Sequence, residues 1–316
     1  MNTETELQLC RLENQQLQEK LKTANTEAEK FSAECIHQTI NKYSNKTFIY
    51  YTGFTCEEFI NLCIFLNIPE SYDANKSITD IMFMNNSLYR FINVRDQFLL
   101  VLMKLRNDFE MIDLAFRFKL SQPVVSILFN EWINYIFHKV AELPIWPHRS
   151  VIQKIMPKQF KHDFPNTMAI LDCTEIKIQK PSSLKLQSQC FSDYKSTTTL
   201  KSLIVCDPLG SVMFASSLYT GSISDNEIFQ RCGLIQQLKS LLRMGYLVPG
   251  DSLMADKGFR IAEELESLGL QLNIPPFAKA AMQMTKQDVF ITKKIAKHRV
   301  IVDRCIGKIK NFKFFS

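Results

Sequence analysis

The chain reads as a mixed α/β sheet domain with flanking helices, placed after an all-α region that includes an N-terminal coiled coil. Three observations predict this. Apolar β-rich runs, beginning with MAILDCTEIKI at 168–178, recur only in the second half of the chain. Capped helical segments alternate with the later runs. Two prolines in LPIWPHRS, 143–150, break the helical region that comes before them. The resulting order is a coiled coil at 1–32, a helical linker region at 33–92, a helix-turn-helix at 93–142, a connector at 143–164 and the sheet domain at 165–316.

Composition permits this. Apolar residues make up 46% of 316 residues, with 24 Phe, which is enough for sizeable cores and argues against general disorder. Net charge is +6, a weak pointer to a polyanionic partner. The nine Cys are scattered and include no C-x2-4-C pair, so a zinc knuckle or finger is not supported and reduced thiols are expected. No run reaches the roughly 18 apolar residues of a membrane span, and the start of the chain does not resemble a signal peptide.

Residues Leu7, Cys10, Asn14, Leu17, Leu21, Ala24, Ala28 and Phe31 recur at spacings of three and four. That is a coiled-coil seam, with Asn14 able to fix a dimer register; one amphipathic helix lying on the domain is the alternative. Thr55 and Glu58 form a capping-box pair ahead of a helix. Asn93 can cap VRDQFLLVLMKLR. A short helix follows at 110–118, then Lys119-Leu120-Ser121, then a longer helix with Pro123 in its first turn. Short helix, tight turn and long helix is helix-turn-helix spacing. Gln122, Ser126 and Asn130 would then share a DNA-reading face. A plain helical hairpin fits the same spacing, and the exposed positions are not notably basic.

In the sheet domain, strands are expected at 168–178, 200–208, 211–221, around LMAD at 253–256, and at 270–276. Helices are expected from Ser224 to about Leu242, with Ser224 and Glu227 as a capping box, at 261–268, and from about 285 to 312. Three acids interrupt this apolar pattern: Asp172 in MAILDCTEI, Asp256 at the end of LMAD, and Asp303 in RVIVDRCIGKIK. An isolated buried carboxylate is costly unless it is paired or bound to metal. For Asp256 an ordinary Asp-x-Gly turn is the competing explanation. Three carboxylates from two strands and a late helix are the ligand set of a two-metal Mg2+ or Mn2+ centre acting on phosphodiesters. Glu175, Asp207 and Asp225 read as structural.

From Lys286 to Ser316 nine Lys or Arg face only Asp288 and Asp303, a balance of +7 against +6 for the whole chain. This suits a nucleic-acid backbone. Arg299 and Arg304 flank Asp303, positioned to hold phosphate or to pair with the acid. With Lys257 and Lys308 they complete the candidate DNA-contacting set, Gln122, Ser126, Asn130, Lys257, Arg299, Arg304 and Lys308.

DCTEI at 172–176, FSDYKSTTTLK at 191–201, GSISDNEIF at 221–229, ADKGF at 255–259, IPPF at 274–277 and RVIVDRCIGKIKNFK at 299–313 together resemble the DDE endonuclease domain of PIF/Harbinger-type transposases and their domesticated relatives. The resemblance covers about 165–315, and the helices near 93–140 resemble the helix-turn-helix ahead of that domain. It implies an RNase H-like fold, a divalent metal (Mg2+ or Mn2+) and DNA strand cleavage. Asp172, Asp256 and Asp303 would be the catalytic, metal-binding acids, and Gly258 would shape the turn beyond Asp256. Asp303 stands where the family usually has Glu, one methylene longer. The chain ends soon after this helix, where relatives commonly continue. Relatives are often paired with a Myb-like DNA-binding protein, and a nuclear location follows from the substrate.

A metal-dependent nuclease of transposase origin is therefore expected. The alternative is a domesticated DNA-binding or scaffold protein with a weakened or silent centre. A phosphatase acting on small phosphates is disfavoured by the basic last helix and the helix-turn-helix.

Overall fold

The computed structural model describes residues 16–18, 45–69, 92–141, 143–277 and 285–316. Most of the expected coiled coil, with Asn14, therefore lies outside the described residues, as does the polar segment at 71–77. The chain divides into two compact units, Met1–Glu142 with Phe312–Phe314, and Leu143–Asn311 with Phe315–Ser316.

The first unit is helical: α1 (Asn45–Thr52), α2 (Cys56–Phe65), α3 (Val94–Asn107), α4 (Met111–Phe118) and α5 (Gln122–Ala141). Thr55 and Glu58 do form the capping box that starts α2. Asn93 caps α3, whose residues from Val94 to Lys104 are all buried. Phe48, Phe59, Phe98 and Trp132 carry the core from α1 to α5 by ring contacts of 5.3, 5.5 and 5.6 Å. α4 ends when Lys119 adopts a left-handed φ of 53°, which turns the chain into α5.

The second unit is the mixed α/β domain. Its strands are β1 (Thr167–Lys177), β2 (Phe191–Ser192), β3 (Thr197–Cys206), β4 (Val212–Ala215), β5 (Tyr219–Thr220), β6 (Ser252–Met254) and β7 (Gln271–Asn273). Its helices are α6 (Arg149–Ile155), α7 (Lys158–Asp163), α8 (Leu184–Cys190), α9 (Asp225–Arg231), α10 (Leu234–Arg243), α11 (Ala262–Glu266) and α12 (Lys286–Lys310). The sheet order is β2-β3-β1-β6-β7, with β4 and β5 paired to β3. β1 pairs antiparallel with β3 and parallel with β6, and β6 pairs parallel with β7. The core lies where Met168–Leu171, Leu203–Cys206 and Leu253–Ala255 meet Ile228, Phe229 and Leu238 on one set of helices and Ile295, Val302 and Cys305 of α12.

Several expectations are corrected. The segment 143–164 carries two helices, α6 and α7, rather than a plain connector. The 211–221 run is two strands, because Ser216 Oγ accepts the Leu203 N–H at 2.9 Å and interrupts the ladder. The helix after Ser224 breaks at Gly233, whose φ of 82° is left-handed. Glu227 N–H reaches Ser224 Oγ, but the Glu227 carboxylate turns to Arg231, so only half of that capping box forms.

The sheet's parallel edge is held by polar pins. Asp251, 1% exposed, accepts from Arg149 Nη2 at 3.0 Å, from Arg149 Nε at 3.2 Å and from the Val248 N–H at 2.9 Å. Asn273 donates to Thr167 Oγ1 and Ser252 Oγ at 2.9 and 2.8 Å, which ties β7 to β1 and β6. Gly221 is needed for a close approach. A Cβ there would sit 2.4 Å from Thr199 Oγ1 and 2.6 Å from the Cys190 carbonyl.

Candidate active site

β1 alternates its side chains across the sheet. Its apolar segment ends at Leu171, and the next residue, Asp172, lies only partly covered. Asp256 follows β6 by two residues rather than ending the strand, and its carboxylate accepts the N–H of Lys257. Because β1 and β6 are parallel neighbours in register, the two acids lie side by side at the carboxyl end of β6, while β1 itself runs on to Lys177.

α12 approaches that end. Thr285 and Asp288 make a full capping box at its start. Further along, His298 is buried between Phe160 and Phe164, with ring centroids 4.8 and 5.2 Å away. Its Nδ1 donates to the Lys294 carbonyl at 2.8 Å. Asp163, at the end of α7, lies 2.9 Å from Lys294 Nζ and 3.4 Å from His298 Nε2. The Lys294 ammonium and then His162 hold the Asp163 carboxyl down at about 2. These contacts set the rotation and height of α12 over the sheet.

That placement puts Arg299 between two of the predicted acids. Its Nη2 is 3.5 Å from Asp172 Oδ2 and its Nη1 is 3.5 Å from Asp256 Oδ1. Its buried Nε has no hydrogen-bond partner among the described residues. Arg299 thus pairs with Asp172 and Asp256, not with Asp303, the acid beside which the sequence sets it. Asp303 is exposed, one turn further along α12. Burial pushes the Asp172 carboxyl up to about 6. Arg299 and the Cys173 N–H oppose that rise, and the charges of Asp303 and Asp256 add to it. The charges of both other predicted acids therefore reach Asp172. Among the described residues, however, no three His, Cys, Asp or Glu come together closely enough to hold a metal.

The donor set still suits a hard cation. Mg2+ characteristically uses one or two carboxylates, several waters and substrate phosphates. Asp172 and Asp256 already share one cation, the Arg299 guanidinium, so their oxygens converge on a single positive charge.

The remaining predicted residues are dispersed. Lys257 Nζ and the Arg260 guanidinium both face the Phe277 ring, at 5.4 and 5.9 Å. Arg304 and Lys308 are exposed on α12. On α5, Gln122 and Asn130 are exposed and Ser126 is half-buried, while Ile127 and Phe137 are exposed near them. Gly258 does not take a left-handed φ, so the turn after Asp256 does not require a glycine for that reason. That turn is held from α9 instead, since the Arg260 N–H donates to Asn226 Oδ1 at 2.7 Å. Asp225 is also more than a helix-start acid. It pairs with Lys201 at 3.3 Å, and Lys201 in turn lies 3.8 Å from Glu175 and donates to the Ile223 carbonyl. The register pairing Glu175 with Lys201 links these residues across β1 and β3, and no spacing in the sequence announces it.

The second unit is thus an α/β domain with a mixed sheet, in which Asp172 within β1 and Asp256 just past β6 lie under a basic helix that bears a third acid. Residues 171–316 match the family described as DDE superfamily endonuclease. Residues 90–142 match the helix-turn-helix of DDE superfamily endonuclease. These two regions are thus similar to one superfamily, an endonuclease region following its helix-turn-helix. Among curated proteins it is 30% identical over 70 residues to "Putative nuclease HARBI1" of Xenopus laevis, covering 22% of this chain and 19% of that protein. The mouse and human proteins of the same name are 27% identical over 88 residues, 28% of this chain and 24% of theirs. The match thus spans about a fifth to a quarter of those relatives' length. No solved structure matches. Among the described residues no helix is long and apolar enough to cross a membrane.

Proposed function

We propose that this protein is a metal-dependent DNA endonuclease of transposase origin with an RNase H-like sheet, in which Asp172, Asp256 and Asp303 serve a two-metal centre. The observation that carries this is the pair of carboxylates on neighbouring parallel segments sharing one internal cation. Mg2+ or Mn2+, when bound, would activate water and stabilise the leaving oxygen of an in-line displacement. Asp172 and Asp256 would hold the ions and give up Arg299 in doing so. Arg299, once released, would remain beside the centre, able to hold a phosphate oxygen through its fork of N–H donors. Arg304 and Lys308 would extend the positive face that DNA follows. Dimerisation through residues 1–32, base reading from α5, a Myb-like DNA-binding partner and a nuclear location belong to the same proposal.

The second reading is a domesticated DNA-binding or scaffold protein without turnover. The exposed Asp303, standing where the family usually has Glu, favours it. Calorimetry with Mn2+ and Mg2+ to millimolar concentration, with and without duplex DNA, separates the two. Binding that disappears in both Asp172→Asn and Asp256→Asn, together with metal-dependent nicking, supports the nuclease. DNA binding indifferent to both substitutions, without nicking, supports the scaffold.

A further inference from the structure

β1 and α12 each carry an acid of the candidate site and, further along, a lysine. On β1 the acid is Asp172 and the lysine Lys177, about 17 Å on at a strand's rise. On α12 they are Asp303 and Lys310, about 10 Å apart at a helix's rise. The two elements run the same way from acid to lysine, because Lys310 Nζ donates to the Glu175 carbonyl at 2.9 Å, beyond Asp172 on β1. Lys177 sits opposite Thr199 near the start of β3, and the Ile178 N–H donates to the Thr198 carbonyl. The β2–β3 turn, residues 193–196, projects from this same end of the sheet. It is pinned by the Lys195 N–H donating to Ser192 Oγ at 3.3 Å and by a left-handed Ser196. Burial, and after it the charges of Lys195 and Lys177, lower the Lys310 ammonium below its usual range, as crowded cations do.

At the tip of the turn Tyr194 is 85% exposed. Lys195 Nζ lies over its ring, 4.7 Å from the centroid. A large aromatic side chain left in water under the ammonium of Lys195 contributes nothing to the core. An aromatic face next to cations is the pattern that binds single-stranded nucleic acid, with lysines taking phosphates and the ring taking a base.

We propose that Lys177, Lys195 and Lys310, with Tyr194, form a single-strand clamp beside the candidate active site, which stacks an unpaired base a few nucleotides from the phosphate at Asp172. This rests on the endonuclease reading and adds to it a preference for DNA with an unpaired segment next to the cut.

The test is fluorescence anisotropy on the full chain in EDTA, comparing a blunt duplex with the same duplex bearing a single-stranded tail of about four nucleotides. The parent is expected to favour the tailed DNA. Tyr194→Ala should weaken tailed binding about tenfold while leaving blunt binding unchanged, and Tyr194→Phe should retain the preference. Lys177→Ala and Lys195→Ala should each reduce the salt slope on tailed DNA by about one. Tyr194 makes no core contact, so its truncation leaves the fold intact, which a thermal melt checks. If Tyr194→Ala binds tailed DNA like the parent, or loses blunt and tailed binding equally, the clamp is wrong while the nuclease proposal stands on its own cleavage data. If the parent binds neither DNA, both fall.

Discussion

Arg299 lies 3.5 Å from Asp172 and reaches Asp256 with the other arm of the same guanidinium. A basic side chain thus stands where two of the predicted acids converge. The site carries its own counter-charge, and any divalent cation entering it must displace that charge.

Replacing Arg299 should therefore separate stability from metal affinity. Arg299→Ala leaves two neighbouring carboxylates without their cation, and the metal-free protein should lose about 1–2 kcal/mol. Mn2+ affinity should rise in the same variant, because no internal cation competes for the carboxylates. Urea unfolding in EDTA and Mn2+ calorimetry read the two effects. Weaker Mn2+ binding in the variant would show that Arg299 supports the metal site.

Asp172 makes the metal-free fold sensitive to pH. Its carboxyl, pushed up to about 6, holds a proton more tightly in the folded chain than the ordinary value of about 3.9 in the unfolded one. Its contribution is fully present below pH 4 and is lost as pH rises through 6. Asp172→Asn removes this dependence. Relative to the parent it should gain stability between pH 4 and pH 7, by at most about 2–3 kcal/mol. Denaturant melts in EDTA across that window test the sign. Metal binding needs the ionised carboxylate, so Mn2+ affinity of the parent should fall below pH 6.

Asp303→Glu restores the missing methylene. In a working nuclease, where misplacement by an ångström is costly, the change should raise Mg2+-dependent nicking about tenfold or more. Nicking absent in both forms would favour the scaffold.

Asp251→Ala strands the Arg149 guanidinium and removes the acceptor of the Val248 N–H. A loss of about 1–3 kcal/mol is expected from urea unfolding, chiefly for the buried Val248 N–H left without its acceptor. Gly221→Ala should cost about 1–3 kcal/mol through overpacking against Thr199 and the Cys190 carbonyl. A thermal melt of each variant gives the comparison.

Local signals in the sequence located most elements. The Thr55–Glu58 box, the Asn93 cap and the apolar runs around Asp172 and Asp256 all mark features present in the structure. Breaks within elements were harder to see. Gly233 stops a helix whose apolar periodicity continues past it, and Ser216 interrupts a strand by offering its hydroxyl in place of a backbone acceptor. Neither event changes the hydrophobic pattern, so the pattern could not report it.

By itself the sequence determined which residues are candidates: three acids interrupting apolar segments, and a late helix with a charge of +7. Residue type and local period are enough for that. Only the tertiary structure decided their partners. Arg299 is one turn from Asp303 in the chain but pairs with Asp172 and Asp256, and Lys310 donates to the Glu175 carbonyl on β1. These pairings depend on β1 lying beside β6 and on the clamp of Asp163 on α12. Strand order and helix rotation arise from packing between distant segments, and a one-dimensional pattern carries no record of either.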